Sequence, residues 1–192
     1  QALLARYGLS GLLRDNPVIE LYDSREELAH ERPYHDLRRA LGFQIDEISG
    51  QEARRMEPTI AADFACAAVF RDWRSVVDTK RFVAELHRVF LACGGVVSTA
   101  GASAIQCQGG QATGVKTTTG ETLLADQYVL AAGAQSRLLA KDLGTPIQLE
   151  GVIGYQTNLT AAGLEVKHGL IYAKGGFGIT PYDSGLAVAG SI

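Results

Sequence analysis

Two tyrosines, Tyr155 and Tyr182, are the side chains of this chain best suited to meet a small polar ligand. Each falls in or at the end of a stretch that reads as a strand, Gly154 to Leu159 and Phe177 to Pro181. A strand can hold an aromatic ring against a ligand while the hydroxyl offers one hydrogen bond to a carboxylate or amine. The same positions also suit ordinary half-buried strand tyrosines, so residue type alone leaves their role open. A second feature lies in the backbone. The apolar run Tyr128 to Ala132 meets Gly133 and then the helix-like Ser136-Arg-Leu-Leu-Ala140. Ala131 to Ala134 carry almost no side chain, so another backbone or a flat ligand can approach the main chain there.

Other chemistries find no support. None of the 22 glycines falls in a G-x-G-x-x-G or G-x-x-x-x-G-K-[ST] pattern, so neither a dinucleotide nor a nucleoside-triphosphate loop is written here. Gly175-Gly-Phe-Gly178 reads as a hairpin bend, since no helix follows it. The histidines, His30, His35, His87 and His168, stand among polar residues without metal spacing and read as surface positions. Cys66, Cys93 and Cys107 show no C-x-x-C pair and read as reduced, buried thiols. No serine sits in G-x-S-x-G. Arg71 and Arg74 could supply a cation, but Asp72 between them points to a solvated turn.

The elements that would position these residues follow from local signals. Pro17 to Tyr22 reads as a strand, and Ser24-x-x-Glu27 opens a helix that runs to Leu41 with Pro33 expected to kink or split it. Gly42 ends that helix. Phe43 to Ile48 alternates as a half-buried strand, and Ser49-x-x-Glu52 caps a short helix that Pro58 stops. After a strand at Cys66 to Phe70, Asp78 should cap a long helix ending at Cys93. Its Phe82, Leu86, Val89 and Phe90 recur at helical spacing and are expected to pack on a sheet that contains Tyr128 to Ala132. Val96 to Thr99 reads as a further strand, completing a parallel crossover. Gly114 to Thr122 is a strand-turn-strand, Leu143 to Tyr155 a helix end followed by a strand, and the remainder is β-rich.

Composition bounds the class. At 192 residues and 46% hydrophobic, the chain can bury one large core or two small ones. A net charge of -3 with no cluster of Lys and Arg argues against nucleic acid as a partner. The longest apolar runs fall far short of the ~20 residues of a membrane helix. The chain opens on Gln1 and its single Met is Met56, so it reads as a piece of a longer polypeptide whose remaining segments are its first partner.

Taken in order, Gly114 to Thr122, the Tyr128-Val-Leu-Ala-Ala-Gly133-Ala turn and Leu143 to Tyr155 resemble the centre of the flavin-dependent amino-acid and amine oxidoreductases: D-amino acid dehydrogenase, glycine oxidase and sarcosine oxidase. The likeness runs from Gly42 to Ile192. It implies an α/β fold: a partial, Rossmann-like flavin-binding domain at 64–144, flanked by parts of a β-rich substrate domain at 1–63 and 145–192. It implies FAD as cofactor, approached by the backbone of Ala132, Gly133 and Ala134 and by Ala102 near the adenine. The family's dinucleotide fingerprint would then lie outside this chain. Gln135 stands where many relatives carry Trp, and Tyr182 where many carry the Arg or Lys that grips a substrate carboxylate. Tyr155 and Tyr182 become the substrate-binding candidates, and no catalytic acid or base and no metal ligand is assigned. The implied reaction is oxidation of a C–N bond in an amino acid or secondary amine. A hydroxy-acid or glycerol-phosphate dehydrogenase of the same superfamily, or a non-catalytic subunit, are the alternatives. The expected location is cytoplasmic or peripheral on the inner face of a membrane, with oxygen or a quinone as electron acceptor.

Overall fold

The computed structural model describes residues 2–61, 63–144, 147–160 and 163–191, without the side chains of residues 142 and 191. Along the chain the elements are α1 (Ala2–Arg6), β1 (Leu13–Asp15), β2 (Val18–Tyr22), α2 (Arg25–Ala40), β3 (Ile45–Ser49), α3 (Gly50–Met56), β4 (Cys66–Phe70), β5 (Arg74–Val76) and α4 (Thr79–Ala92). There follow β6 (Ala102–Gln108), β7 (Gln111–Thr117), β8 (Thr122–Leu123), α5 (Ser136–Ala140), β9 (Gly154–Leu159), β10 (Gly169–Tyr172), β11 (Phe177–Tyr182) and β12 (Gly185–Ser191). The mixed α/β class is as expected. Thr145, Pro146 and Ile192, which the sequence reading included, lie outside the described residues.

Contacts divide the chain into a first unit of residues 1–93 and 153–192 and a second of residues 94–152. The first is built on a seven-stranded sheet in the order β3-β4-β2-β10-β11-β12-β9. Its one parallel pair is β2 with β10, and the others are antiparallel. Strand β4 is apolar throughout and buried at every position, because both faces of the sheet are covered there. On one face Leu28 of α2 joins Val18, Tyr22, Ile45, Ala68 and Phe70. On the other, Ala53 of α3 joins Ile19, Leu21, Ala67, Val69 and Leu170. Fully buried Ile19 and Val69 should each contribute about 1.5–3 kcal/mol. Toward β9 the sheet runs out of cover, and every residue of that edge strand is exposed.

The helix signals are realised at their starts. Ser24 Oγ accepts from the Glu27 N–H, Ser49 and Glu52 form a reciprocal capping box, and Asp78 accepts from the Arg81 N–H. Gly42 follows α2 with φ +93. Helix α2 nonetheless continues unbroken through Pro33. Its other hydrogen bonds and the docking of Leu28 and His35 outweigh the one N–H that proline removes.

Four expectations are corrected. The proposed domain bounds 64–144 are not where contacts divide the chain, because β4 pairs with β2 and β3 at the centre of the first unit's sheet. Helix α4 packs Phe82, Leu86 and Val89 on Leu4, Leu9, Leu12 and Val77 instead of a sheet at Tyr128, and Phe90 is left 49% exposed. Residues 96–99 form no strand, with Val96 86% exposed, so the crossover is absent. Residues 128–132 form no strand either. The Tyr128 hydroxyl accepts from the Ala125 N–H, closing a local bend, and Val129 stands 89% exposed.

The second unit carries the three-stranded antiparallel sheet β6-β7-β8. Helix α5 packs on β6, where Ile105 and Ala140 are buried.

Candidate functional site

The small-residue turn of the second unit begins where Ala132 donates its N–H to Ser136 Oγ at 3.0 Å. Gly133 takes φ +55 and starts a single 3-10 turn, Gly133–Gln135, that leads into α5. Ser136 and Ala140 face inward and anchor the turn, whereas Ala132, Gly133, Ala134 and Gln135 are exposed. A Cβ added to Gly133 would meet nothing within 4 Å, so the space beside this main chain is open. Ala102, also exposed, is the first residue of β6 and pairs with Thr117. All four backbone candidates therefore belong to one unit. They offer the close approach that a flat cofactor edge needs, and they carry no charge to hold its phosphates.

The tyrosine candidates lie in the first unit, and the structure does not bring them together. Tyr155 of β9 is opposite Gly190 of β12, Gly190 is opposite Phe177 of β11, and Phe177 is opposite Tyr172 of β10. Directly paired residues share a face, so one row across four strands carries Tyr172, Phe177 and Tyr155 with a glycine between the last two. Tyr182 lies five residues beyond Phe177 on β11, an odd step that turns it to the opposite face at the other end of the strand. The two tyrosines therefore face opposite sides of the sheet and do not line one pocket in this unit.

The Tyr155 face holds a hollow of about 680 Å³ with no charged residue in its lining. Its floor is low because Gly190, between Tyr155 and Phe177 in that row, has no side chain, and it lies so near the Gly176 carbonyl that a Cβ would come within 2.7 Å of that oxygen. The aromatic wall is internally braced. The Tyr172 ring meets Phe177 edge-on at 5.7 Å and Phe64 at 5.3 Å. The Tyr172 hydroxyl donates to Asp23 at 2.9 Å, and Lys174 Nζ donates to the same carboxylate at 2.8 Å. The Lys174 bond first, and then the Tyr172 bond, hold the Asp23 carboxyl below its usual range, and the bond to Asp23 pushes the Tyr172 hydroxyl up. Tyr155 itself is 61% exposed.

Tyr172, Phe177 and Phe64 were missed from sequence. The available signal was Gly175-Gly-Phe-Gly178: reading it as a hairpin bend, which the β10–β11 pairing bears out, places Tyr172 and Phe177 side by side across the turn.

The loop that leads into β10 is fixed by Glu57. Its side chain has no solvent exposure and accepts from the backbone N–H groups of Lys167 and His168 at 2.7 and 3.0 Å, with His168 Nδ1 at 3.3 Å and the Thr59 hydroxyl also bonded. Burial pushes this carboxyl up, but the bonds from Thr59, Lys167 and His168 together hold it below the ordinary glutamate range. The histidine reading is corrected at His35, which is 1% exposed, and at half-buried His168. The cysteine reading holds for buried Cys66 but not for exposed Cys93 and Cys107, although all three are free thiols. Arg71 pairs with Asp46 at 2.7 Å and Arg74 with Asp15 at 2.6 Å, so both cations are engaged within the fold. Among the described residues no His, Cys, Asp and Glu cluster could hold a metal, and no helix is long and apolar enough to cross a membrane.

Comparison with known proteins bears on these surfaces. A D-amino-acid oxidase from Bradyrhizobium diazoefficiens is 26% identical over 185 residues, covering 96% of this chain and 44% of that protein. The glycine oxidase structure from Geobacillus kaustophilus superposes with a TM-score of 0.83 at 21% identity, over 100% of this chain and 52% of that one. The L-proline dehydrogenase structure from P. horikoshii gives 0.77 at 16% identity, over 99% and 51%. The chain thus spans about half the length of the relatives it matches. The family of FAD dependent oxidoreductases that includes D-amino-acid oxidase matches residues 1–191, and the chain belongs to that family.

Proposed function

We propose that this chain is the central part of a longer FAD-dependent oxidoreductase that oxidises the C–N bond of an amino acid or secondary amine. The observation that carries the reading is the uncharged aromatic face at Tyr155, Tyr172 and Phe177, on a fold whose relatives include an oxidase of D-amino acids. When bound, FAD supplies the acceptor for the hydride that leaves the carbon bearing the nitrogen. The chain's own share is binding and exclusion of water. The open backbone at Ala132 to Ala134 and at Ala102 would face the cofactor. The Tyr155 ring would bound the substrate while its hydroxyl offers one hydrogen bond, and Tyr172 and Phe177 would present ring surface to an apolar substituent. The uncharged lining supplies ring surface and hydrogen bonds only, so a cation for an amino-acid carboxylate would come from the remaining segments of the parent. The electron acceptor is oxygen or a quinone, and the placement cytoplasmic or peripheral on the inner face of a membrane.

The test is turnover by the parent protein of D-amino acids, glycine, sarcosine, 2-hydroxy acids and glycerol 3-phosphate. Oxidation of one or more amines, with loss of catalytic efficiency in Tyr155→Ala, is the expected result. Turnover of hydroxy acids or glycerol 3-phosphate alone overturns the reading.

A further inference from the structure

Helix α2 buries Leu28 and His35 against the sheet, yet its outward side is far from polar. Tyr34, Leu37 and Leu41 recur at three and four residues and are 61, 60 and 70% exposed. Phe43 and Trp73, 54 and 47% exposed, extend the stripe around a hollow of about 410 Å³ lined also by Arg38 and Phe70. Gln44, Asp72 and Arg74 also line that hollow, so the apolar stripe has a polar rim, and exposed apolar residues gathered inside such a rim mark a contact.

The charges beside the stripe are ordered. Glu31 lies one turn before Tyr34 and Arg38 one turn after it, along the same edge of the helix. Beyond the first residues of the helix the other charged groups are engaged: Arg32 and Arg39 bind Glu47, Arg39 also binds Asp36, and Glu27 faces Lys174. Glu31 and Arg38 make no ion pair among the described residues, and Arg38 lies over the Phe70 ring at 5.4 Å.

The geometry points to a second copy of this chain as the occupant, with two α2 helices packed antiparallel about a twofold axis near Tyr34. That operation sets Glu31 of each copy opposite Arg38 of the other and brings the apolar residues between them together. A twofold interface requires one patch to complement itself, and an acidic-apolar-basic order along one helix meets the requirement. A parallel arrangement would put like charges together and is disfavoured.

The experiment is the mass of the full-length parent by light scattering across a dilution series, with thermal unfolding of each variant as a fold control. The parent should be dimeric, or a higher assembly that contains this dimer, and Leu37→Glu should halve its mass without shifting its unfolding. Glu31→Arg and Arg38→Glu should each raise the dissociation constant about tenfold, and the double exchange should restore it. Restoration is the decisive arm, because a merely destabilised fold would not recover when a second residue is changed. A monomeric parent, as when its own remaining half covers the stripe, overturns the proposal. So does an assembly indifferent to Leu37→Glu and to the charge exchange.

Discussion

Glu57 and Glu20 are both acids in largely buried settings, and their surroundings move them in opposite directions. Hydrogen bonds from Thr59, Lys167 and His168 hold the Glu57 carboxyl low against the upward push of burial. Its folded state therefore favours the charged form. The stability it supplies is complete above the ordinary glutamate range and is lost as pH falls through the lowered pKa. Glu57→Gln keeps the shape but turns a donor toward the backbone N–H groups of Lys167 and His168. A loss of about 1.5–3 kcal/mol in urea unfolding is expected, and it should shrink at acid pH, where the wild-type carboxyl is itself protonated. Glu20 is raised by burial first, with Glu31 adding to the effect and a bond from Tyr22 opposing it. It thus contributes stability below the ordinary glutamate range that is lost as pH rises through the raised pKa, so Glu20→Gln should unfold at higher temperature than wild type at pH 7 and lose that advantage near pH 4. His35, pushed down by burial and then by Arg39 and Arg38, adds to the acid side: its neutral form is favoured, and stability falls as pH drops from the ordinary histidine range through the lowered value. At the proposed substrate face, Tyr155→Phe in the parent should raise KM through loss of one hydrogen bond while leaving unfolding unchanged, because the residue is exposed. Unaltered kinetics in both Tyr155→Phe and Tyr155→Ala would remove Tyr155 from the site.

At the scale of elements, the starts of helices were legible because a cap is a local object. Ser24, Ser49 and Asp78 each satisfy an N–H three residues on, and nothing distant is needed. Asp78→Ala should accordingly cost about 1 kcal/mol, read as a lowered unfolding midpoint, and Asp78→Asn should recover most of it. The hairpins of the last forty residues were legible for the same reason: their turns contain Gly175-Gly176 and Asp183-Ser184, and their strands alternate. Strands that depend on a distant partner were not. Tyr128 to Ala132 has the composition of a buried strand, but a strand exists only as part of a ladder, and no described strand lies beside it. The apolar face of α4 was read correctly as a face and assigned to the wrong neighbour, since helical spacing tells which side is buried and not against what. The same limit hid the site. Tyr155 was picked out by residue type, whereas Tyr172 and Phe177 required the register of four strands, and Tyr182 was separated from them by the parity of one.

At the scale of the whole molecule, the second unit carries several large aliphatic side chains in the open. In the second unit Val96, Leu124 and Val129 are 86, 78 and 89% exposed, a density of bare aliphatic side chains that a finished protein surface rarely tolerates. Val96 and Val129 lie in stretches that read as strands and have no ladder here, and Leu124 directly follows β8, so a longer chain that pairs and covers them would account for both observations. The relatives, about twice as long, supply room for such a chain. This has a consequence for the cofactor. The 192-residue chain offers open main chain at Ala132 to Ala134 and at Ala102, but among the described residues no glycine-rich loop joins a strand to a helix to meet a pyrophosphate. Charge-assisted bonds to phosphate contribute roughly 1.5–3 kcal/mol each, so losing several weakens affinity by orders of magnitude. After desalting, the parent should absorb in the flavin bands at one equivalent per chain, whereas the isolated 192-residue chain should be colourless and should brighten an apolar-surface dye. Ala134→Leu in the parent should lower flavin occupancy with little change in unfolding of the apoprotein, since Ala134 is exposed, whereas a change at Gly133 would be confounded by its positive φ. Full occupancy in Ala134→Leu would show that the turn serves only to cap α5, and tight flavin in the isolated chain would show that the phosphates are held by residues other than a strand-to-helix loop.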